Sequence, residues 1–210
     1  MTRRRSPSRR RPAARANQAG GRLRIIGGEF RRRLLPVLDR PGLRPTPDRV
    51  RETLFNWLAD TPLGARVLDL YAGTGALGLE ALSRGARQAH FVERDKDVAD
   101  ALRDNLATLA ASGRVSTVEV LPLLEARADA TAPYALVFLD PPFRQGLAEA
   151  SCAALEANGW LAERAWIYLE TETELSPRVP VTWTLHREVR AGDSHGRLYH
   201  RQASLPGDAC

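Results

Sequence analysis

Residues 67–78, Val-Leu-Asp-Leu-Tyr-Ala-Gly-Thr-Gly-Ala-Leu-Gly, constrain the fold more than any other stretch of the chain. An apolar strand over 67–70 runs into a turn at Gly73 and Gly75, and a helical pattern follows. Glycines there let the backbone turn tightly and approach a ligand with no Cβ in the way, while the helix offers unpaired N–H groups at its start. Strand-like runs recur at 89–93, 115–120, 135–139 and 166–170, separated by helical spacing. The clearest helix spans 95–110, with Val98, Ala101, Leu102, Leu106 and Leu109 on one face. Strands alternating with helices build a parallel sheet with helices packed on it, so the expected class is α/β. The tail differs, because 181–189 and 196–201 run strand to strand around Ala191-Gly192-Asp193-Ser194. An antiparallel hairpin should close an otherwise parallel sheet.

Ahead of the sheet, the chain is basic. Residues 1–33 hold twelve Arg against one acid, Glu29, so that segment carries +11 of a formal net charge of +6, and the other 177 residues carry −5. A basic segment on an acidic body points to a polyanion, nucleic acid first, because guanidinium groups displace the counterions condensed on phosphates. Residues 1–20 mix Arg with Ser, Pro and Ala and lack the apolar surface to offset ordering entropy, so they read as a disordered arm. Two short strands follow, Leu23–Ile26 and Phe30–Val37, joined by a turn at Gly27-Gly28, with arginines on the exposed side. Thr46 then fits a helix N-cap, Pro47 the first helical position and Asp48 the first turn. On that helix Val50, Leu54, Trp57 and Leu58 share the packing face, and Arg49 and Arg51 are expected to point elsewhere. The expected division is an arm over 1–20, a hairpin and helix over 21–60, the sheet domain over 61–204 and a tail over 205–210.

Cys152 and Cys210 form neither a disulfide framework nor a C-x-x-C pair, which suggests a reducing compartment and no structural zinc. The four histidines show no spacing that suggests a triad or a metal site. No apolar run reaches 18 residues and the arginine-rich start has no apolar h-region, so a soluble, cytoplasmic protein is expected. Asp193 and His195 read as a solvated turn, and Trp57, Trp160, Trp166 and Trp183 as packing residues.

Two motifs carry the chemistry. The glycine loop alone leaves the cofactor open: Gly73, Gly75 and Gly78 satisfy G-x-G-x-x-G, and Glu93 ends the next strand where a ribose-binding acid belongs in a dinucleotide fold. A nicotinamide-dependent oxidoreductase is the alternative on that ground. Asp140-Pro141-Pro142-Phe143, directly after the fourth strand, favours different chemistry. An exocyclic amine conjugated to a base ring is a poor nucleophile and needs acceptors on its hydrogens. The Asp140 carboxylate and the Pro141 carbonyl can supply both, the prolines keep the loop outside a helix ladder, and Phe143 offers a face for a splayed-out base.

With those residues in view, the chain resembles the class I S-adenosylmethionine-dependent methyltransferases, whose sheet is Rossmann-like, and within them the RsmD family of 16S ribosomal RNA guanine-N2 methyltransferases. The likeness runs through Arg-Ile-Ile-Gly-Gly at 24–28, Pro-Gly-Leu-Arg-Pro-Thr at 41–46, 48–58, 75–84, Asp-Pro-Pro-Phe-Arg at 140–144, Asn-Gly-Trp-Leu at 158–161, 185–188 and 197–199. The resemblance implies that Asp69, Tyr71, Ala72, Gly73, Thr74 and Gly75 line the methionine and ribose side of S-adenosylmethionine. It implies further that Glu93 accepts the ribose hydroxyls, that Arg94, Glu119 and Val120 lie at the adenine, and that Thr46 caps the pocket. Glu119 stands where the family leads one to expect Asp or Asn, and Arg32 and Leu34 stand where Gly and Lys are expected. Arg22, Arg24, Arg31, Arg33 and Arg44 are the implied RNA contacts. The reaction implied is methyl transfer to N2 of one guanine, on 16S rRNA within a small-subunit particle, by a monomer that uses no metal. Adenine N6 is the alternative target, since Asp-Pro-Pro-Phe serves either amine, and a noncatalytic RNA-binding assembly factor is a further alternative.

Overall fold

The computed structural model describes residues 19–40, 43, 46–126 and 133–202. Most of the expected arm, the expected contact Arg44 and the tail 205–210 lie outside them. Strands β1 (Ala19–Arg24) and β2 (Leu34–Leu38) form a separate antiparallel pair. Helix α1 (Asp48–Leu58) leads to β3 (Arg66–Leu70), α2 (Ala76–Ser83), β4 (Gln88–Val92), α3 (Lys96–Leu109), β5 (Gly113–Ser116) and α4 (Val120–Glu125). Then come β6 (Tyr134–Leu139), α5 (Leu147–Ala157), β7 (Leu161–Glu172), β8 (Trp183–Ala191) and β9 (Ser194–Gln202).

The main sheet has the order β5-β4-β3-β6-β7-β9-β8. Its first five strands are parallel, and β9 runs antiparallel between β7 and β8, so the sheet is mostly parallel with the expected closing hairpin. Helices cover both faces, which is why the inner strands are apolar without alternation. Phe138 and Tyr168 pack with Leu23, Leu35, Leu54, Leu79 and Leu102 on the face carrying β1, β2, α1, α2 and α3. Val137 and Ile167 pack with Leu124, Cys152 and Leu155 of α4 and α5 on the other. The chain leaves β3 towards β4 on one side and reaches β6 on the other. That divergence opens a crevice at the carboxyl ends of the strands, where ligands bind in open α/β sheets.

Several elements differ from expectation. The second hairpin strand starts at Leu34 rather than Phe30, because the connection is held on α2 instead of turning at Gly27-Gly28. Ile26 and Gly27 donate their N–H groups to the Glu80 carboxylate at 2.8 Å each, and Glu29 N–H donates to the Ser83 carbonyl at 2.7 Å. Gly28 has φ +73°, and a Cβ there would lie 1.8 Å from that carbonyl oxygen, so the approach demands glycine. Thr46 does not cap α1: Pro47 takes the N-cap position and its carbonyl accepts the Val50 and Arg51 N–H groups. Arg51 does not point to solvent. It is fully buried and donates to the Thr46 and Arg24 carbonyls at 3.2 and 2.8 Å. The strand expected over 115–120 ends at Ser116, and Val120 already begins α4, where Pro122 is tolerated because the first turn needs no N–H partner. Strand β7 starts five residues before Trp166 and spans a register shift opposite Tyr134 and Leu136.

Candidate active site

A cleft of about 780 Å³ lies at the carboxyl ends of β3, β4, β6 and β7. Thr46 and Pro47 border it from the start of α1, and Asp193 and Ser194 border it from the turn between β8 and β9.

One half is built on the glycine loop. Tyr71, Gly73 and Gly75 all take positive φ, 58°, 51° and 74°, which folds the chain back before α2 begins. Tyr71 bears a side chain in that conformation and its hydroxyl is tied to Ser151 Oγ at 2.9 Å. Asp69, Tyr71, Ala72, Gly73 and Thr74 line the cleft, whereas Gly75 does not. A Cβ on Gly75 would sit 2.4 Å from Leu102 Cδ1, so that glycine serves the approach of α3. Gly78 serves close packing too: a Cβ would meet Phe91 at 2.3 Å, and its N–H donates to Asp69 Oδ2 at 2.9 Å.

Glu93 follows β4 and is fixed by two backbone donors, Gly73 N–H to Oε2 at 2.9 Å and Asp95 N–H to Oε1 at 2.8 Å. Each oxygen keeps a lone pair for a ligand hydroxyl. Arg94 and Glu119 form an ion pair of 3.6 Å at the rim, flanked by Val118 and Val120. Arg40, absent from the expected site, also borders the cleft and is paired with Asp97.

The other half carries Asp140, Pro141, Pro142 and Phe143, all of which line the cleft. Leu139 of β6 and Leu169 of β7 are register partners, so Asp140 and Glu170 are the next residues on adjacent strands. Glu170 is buried and lines the cleft; Tyr168 donates its hydroxyl to Oε2 at 3.0 Å, and Ser194 donates its hydroxyl to Oε1. Glu170, Tyr168 and Ser194 are functional candidates that sequence reasoning missed, because a Glu near a strand end says nothing of which strand lies beside it. Asp193 sits in the expected exposed turn, but at the cleft. His195 is buried instead of solvated, held between the Arg197 guanidinium at 2.7 Å and Glu188 at 3.1 Å.

Asp69, Glu93, Asp140 and Glu170 therefore face one cleft, with Asp95, Glu119 and Asp193 also along its lining. Among the described residues no arginine or lysine is paired with Asp69, Asp140 or Glu170. Burial pushes the Asp69 carboxyl up to about 8, against the Gly78 hydrogen bond and with the Glu93 charge adding to it. Asp140 is raised well above the ordinary carboxylate range by burial, then by the Glu170 and Asp69 charges. Such a site suits a ligand that brings positive charge and N–H donors. Among the described residues no group of His, Cys, Asp and Glu is arranged to hold a metal ion, and no helix is long and apolar enough to cross a membrane.

The expected RNA contacts Arg22, Arg24, Arg31 and Arg33 are all exposed on the hairpin and its connection. Two already have protein partners: Arg24 pairs with Asp48 at 2.6 Å, and Arg33 donates to the Thr108 carbonyl at 3.3 Å.

Comparison with known proteins places this architecture. Residues 23–200 match the family described as Conserved hypothetical protein 95. The chain is 53% identical to the Escherichia coli ribosomal RNA small subunit methyltransferase D over 196 residues, 92% of this chain and 98% of that one. It is 46% identical to the Haemophilus influenzae protein of the same name over 183 residues, 86% and 95% of the two chains. Among solved structures, Escherichia coli yhhF superposes with a TM-score of 0.81 at 50% identity, covering 88% of this chain and all of that one.

Proposed function

The chain belongs to the RsmD family, the ribosomal RNA small subunit methyltransferases D, and from that premise we propose that it methylates the exocyclic N2 of one guanine in 16S rRNA. It is an S-adenosylmethionine-dependent methyltransferase, so the nicotinamide alternative raised by Gly73, Gly75 and Gly78 is set aside. The observation that carries the choice of an amine substrate is Asp140-Pro141-Pro142-Phe143 in the cleft that the glycine loop also lines.

The residues present fit the cofactor. Buried carboxyls without a cationic partner suit a ligand carrying a sulfonium and an ammonium, and the cleft is within the roughly 300–1,000 Å³ usual for such ligands. Asp69, Tyr71, Ala72, Gly73 and Thr74 would hold the methionine and ribose side, Glu93 the ribose hydroxyls, and Arg94, Glu119 and Val120 the adenine, under Thr46. When bound, S-adenosylmethionine supplies an electrophilic methyl group.

The chain's own residues do the rest. Asp140 and the Pro141 carbonyl accept the two amine hydrogens and turn the nitrogen lone pair out of the ring plane. Phe143 stacks on the splayed-out base. Holding the reacting atoms in line at about 3 to 3.5 Å supplies several kcal/mol of the barrier. The amine becomes acidic only as its new bond forms, so Asp140, whose proton affinity is raised by burial and by Glu170, takes the proton late. The hairpin arginines hold the phosphate backbone, and the substrate is a small-subunit particle met by a monomer.

The test is methyl transfer from labelled S-adenosylmethionine to small ribosomal subunits lacking their native methyl groups, followed by digestion to nucleosides. Label in N2-methylguanosine at one site is expected. Label in N6-methyladenosine would move the protein to the other amine, and no labelled nucleoside would overturn the reading.

A further inference from the structure

We propose that Glu170 is the residue that selects guanine, by accepting the ring N1–H next to the amine that Asp140 holds. The inference rests on the guanine-N2 reading and adds the group that enforces it.

The two carboxyls are placed for this by the sheet. Leu139 and Leu169 are paired in parallel register, where strands lie about 4.8 Å apart, so Asp140, the first residue after β6, and Glu170, the next residue along β7, follow side by side. Both line the same cleft. Glu170 is buried at 6% exposure yet has no cationic partner among the described residues. Its oxygens are instead oriented by one hydroxyl each, Tyr168 on Oε2 at 3.0 Å and Ser194 on Oε1. Both oxygens already act as acceptors, and each retains acceptor capacity. The strand opposite keeps this arrangement tight: a Cβ on Gly196 would lie 2.1 Å from the Tyr168 hydroxyl.

What such a pair can read follows from the bases. Beside N2, guanine carries N1–H, so its edge offers donors to two adjacent acceptors. Beside N6, adenine carries N1 as a bare acceptor, whose lone pair would face the Glu170 carboxylate. A site built to accept a particular N–H rejects analogues that lack it strongly, because its buried acceptor is then left unpaired. Asp140 and Pro141 alone serve either amine; the acceptor beside them makes the choice.

The experiment uses the full chain and the particle in which the labelled methyl group is first located, reconstituted with either guanine or 2-aminopurine at that position. 2-Aminopurine keeps the amine at C2 and presents N1 as an acceptor. The wild type should favour guanine on the order of 100-fold in kcat/KM, the scale of one lost hydrogen bond to a carboxylate. Glu170→Gln offers an amide N–H to that N1, and both hydroxyl partners can reverse to accept or donate. It should lose activity on guanine, gain it on 2-aminopurine, and cut the preference at least about tenfold, with cofactor Kd changed only a few-fold. Equal loss on both bases would overturn the inference and leave guanine methylation standing. Absence of label in guanine with the wild type would instead sink the reading beneath it. Should Glu170→Gln not fold, Tyr168→Phe and Ser194→Ala each remove one hydroxyl that orients Glu170. Each should lower the preference a few-fold at unchanged cofactor Kd, and an unchanged preference in both would overturn the assignment.

Discussion

Arg51 of α1 and Glu80 of α2 are both fully buried, and their charged groups stand 3.6 Å apart beneath the hairpin connection. Glu80 does more than pair with Arg51: it accepts the Ile26 and Gly27 N–H groups and the Arg84 Nε–H, all at 2.8 Å. It thereby joins the basic hairpin to the helix that follows the glycine loop. Removing one partner of such a cluster strands the other charges, whereas an apolar replacement of the less connected one is better tolerated. Glu80→Leu should cost about 3 to 5 kcal/mol, since it leaves the Ile26 and Gly27 N–H groups without an acceptor and takes from Arg51 its buried countercharge, leaving Asp48 as that arginine's remaining carboxylate. Arg51→Met should cost about 1 to 3 kcal/mol, because Arg84 still neutralises Glu80 while the Thr46 and Arg24 carbonyls lose a donor. Denaturant unfolding of the two variants ranks them, and equal costs would show that Glu80 is not the hub.

Much of this fold could be read from the chain, and the exceptions have a common cause. β3, β4 and β6 are legible because both faces are covered, so their apolar runs carry the signal alone. α3 is legible from its spacing, and its N-cap Asp95 accepts the Asp97 and Val98 N–H groups. Arg51 was not, because an arginine on a helix reads as solvated unless the partner 29 positions away is known to be adjacent. Glu170 was missed for the same reason. Its meaning depends on the register of β6 against β7, a relationship between segments that no local pattern encodes. The cofactor loop and Asp140-Pro141-Pro142-Phe143 were visible because their chemistry sits in contiguous residues.

Separate variants of the two cleft halves should separate binding from turnover. Asp140→Ala removes an acceptor on the amine and the late proton acceptor, so kcat should fall at least about 100-fold while cofactor Kd changes only a few-fold. Glu93→Ala should do the reverse, raising the cofactor KM with a smaller effect on kcat. Isothermal titration alongside methyl-transfer kinetics checks both. Wild-type turnover of the first variant would remove Asp140 from the reaction, and an unchanged cofactor KM in the second would remove Glu93 from the site.

Cofactor affinity should depend on pH through Asp69. Burial holds its folded-state carboxyl up at about 8, far above the unfolded range, so between about pH 4 and 8 the free folded protein keeps a proton that the unfolded chain releases. The free protein therefore loses stability as pH rises through that window. A cationic ligand favours the carboxylate, so binding expels the proton and affinity should rise from pH 6 to about 8, then level. Titration calorimetry in buffers of different ionisation enthalpy should count the released proton, and Asp69→Asn should flatten the profile. An identical profile in that variant would assign the proton elsewhere.

His90 gives the opposite dependence in acid. Its Nδ1 lies 3.0 Å from the Tyr134 hydroxyl and its Nε2 2.8 Å from Ser116 Oγ. Burial, then the Arg114 and Arg66 charges, lower its pKa to about 4. The unfolded chain binds a proton below about pH 6.5 that the folded one refuses until about 4, so stability is full above 6.5 and falls through that window. Thermal unfolding from pH 7 to 4 should show this loss, and His90→Gln, though less stable at pH 7, should lack this component of it. The same slope in both proteins would show that other groups carry it.

The hairpin arginines should differ from one another in RNA binding because the protein already engages some of them. Arg22 and Arg31 are exposed, with no acidic partner among the described residues, whereas Arg24 is paired with Asp48 at 2.6 Å. Counterion release counts only the charge that a phosphate newly neutralises, and each such contact adds roughly 0.7 to 0.9 to the slope of log K against log salt. Arg22→Gln and Arg31→Gln should each reduce that slope by about this amount and weaken binding. Arg24→Gln should reduce it less, since Asp48 already neutralises part of the Arg24 charge in the free protein. Salt-dependent binding of the small-subunit particle measures all three. Equal effects would mean that the Arg24 ion pair opens fully on the RNA, and no effect from Arg22 and Arg31 would take the hairpin out of the interface.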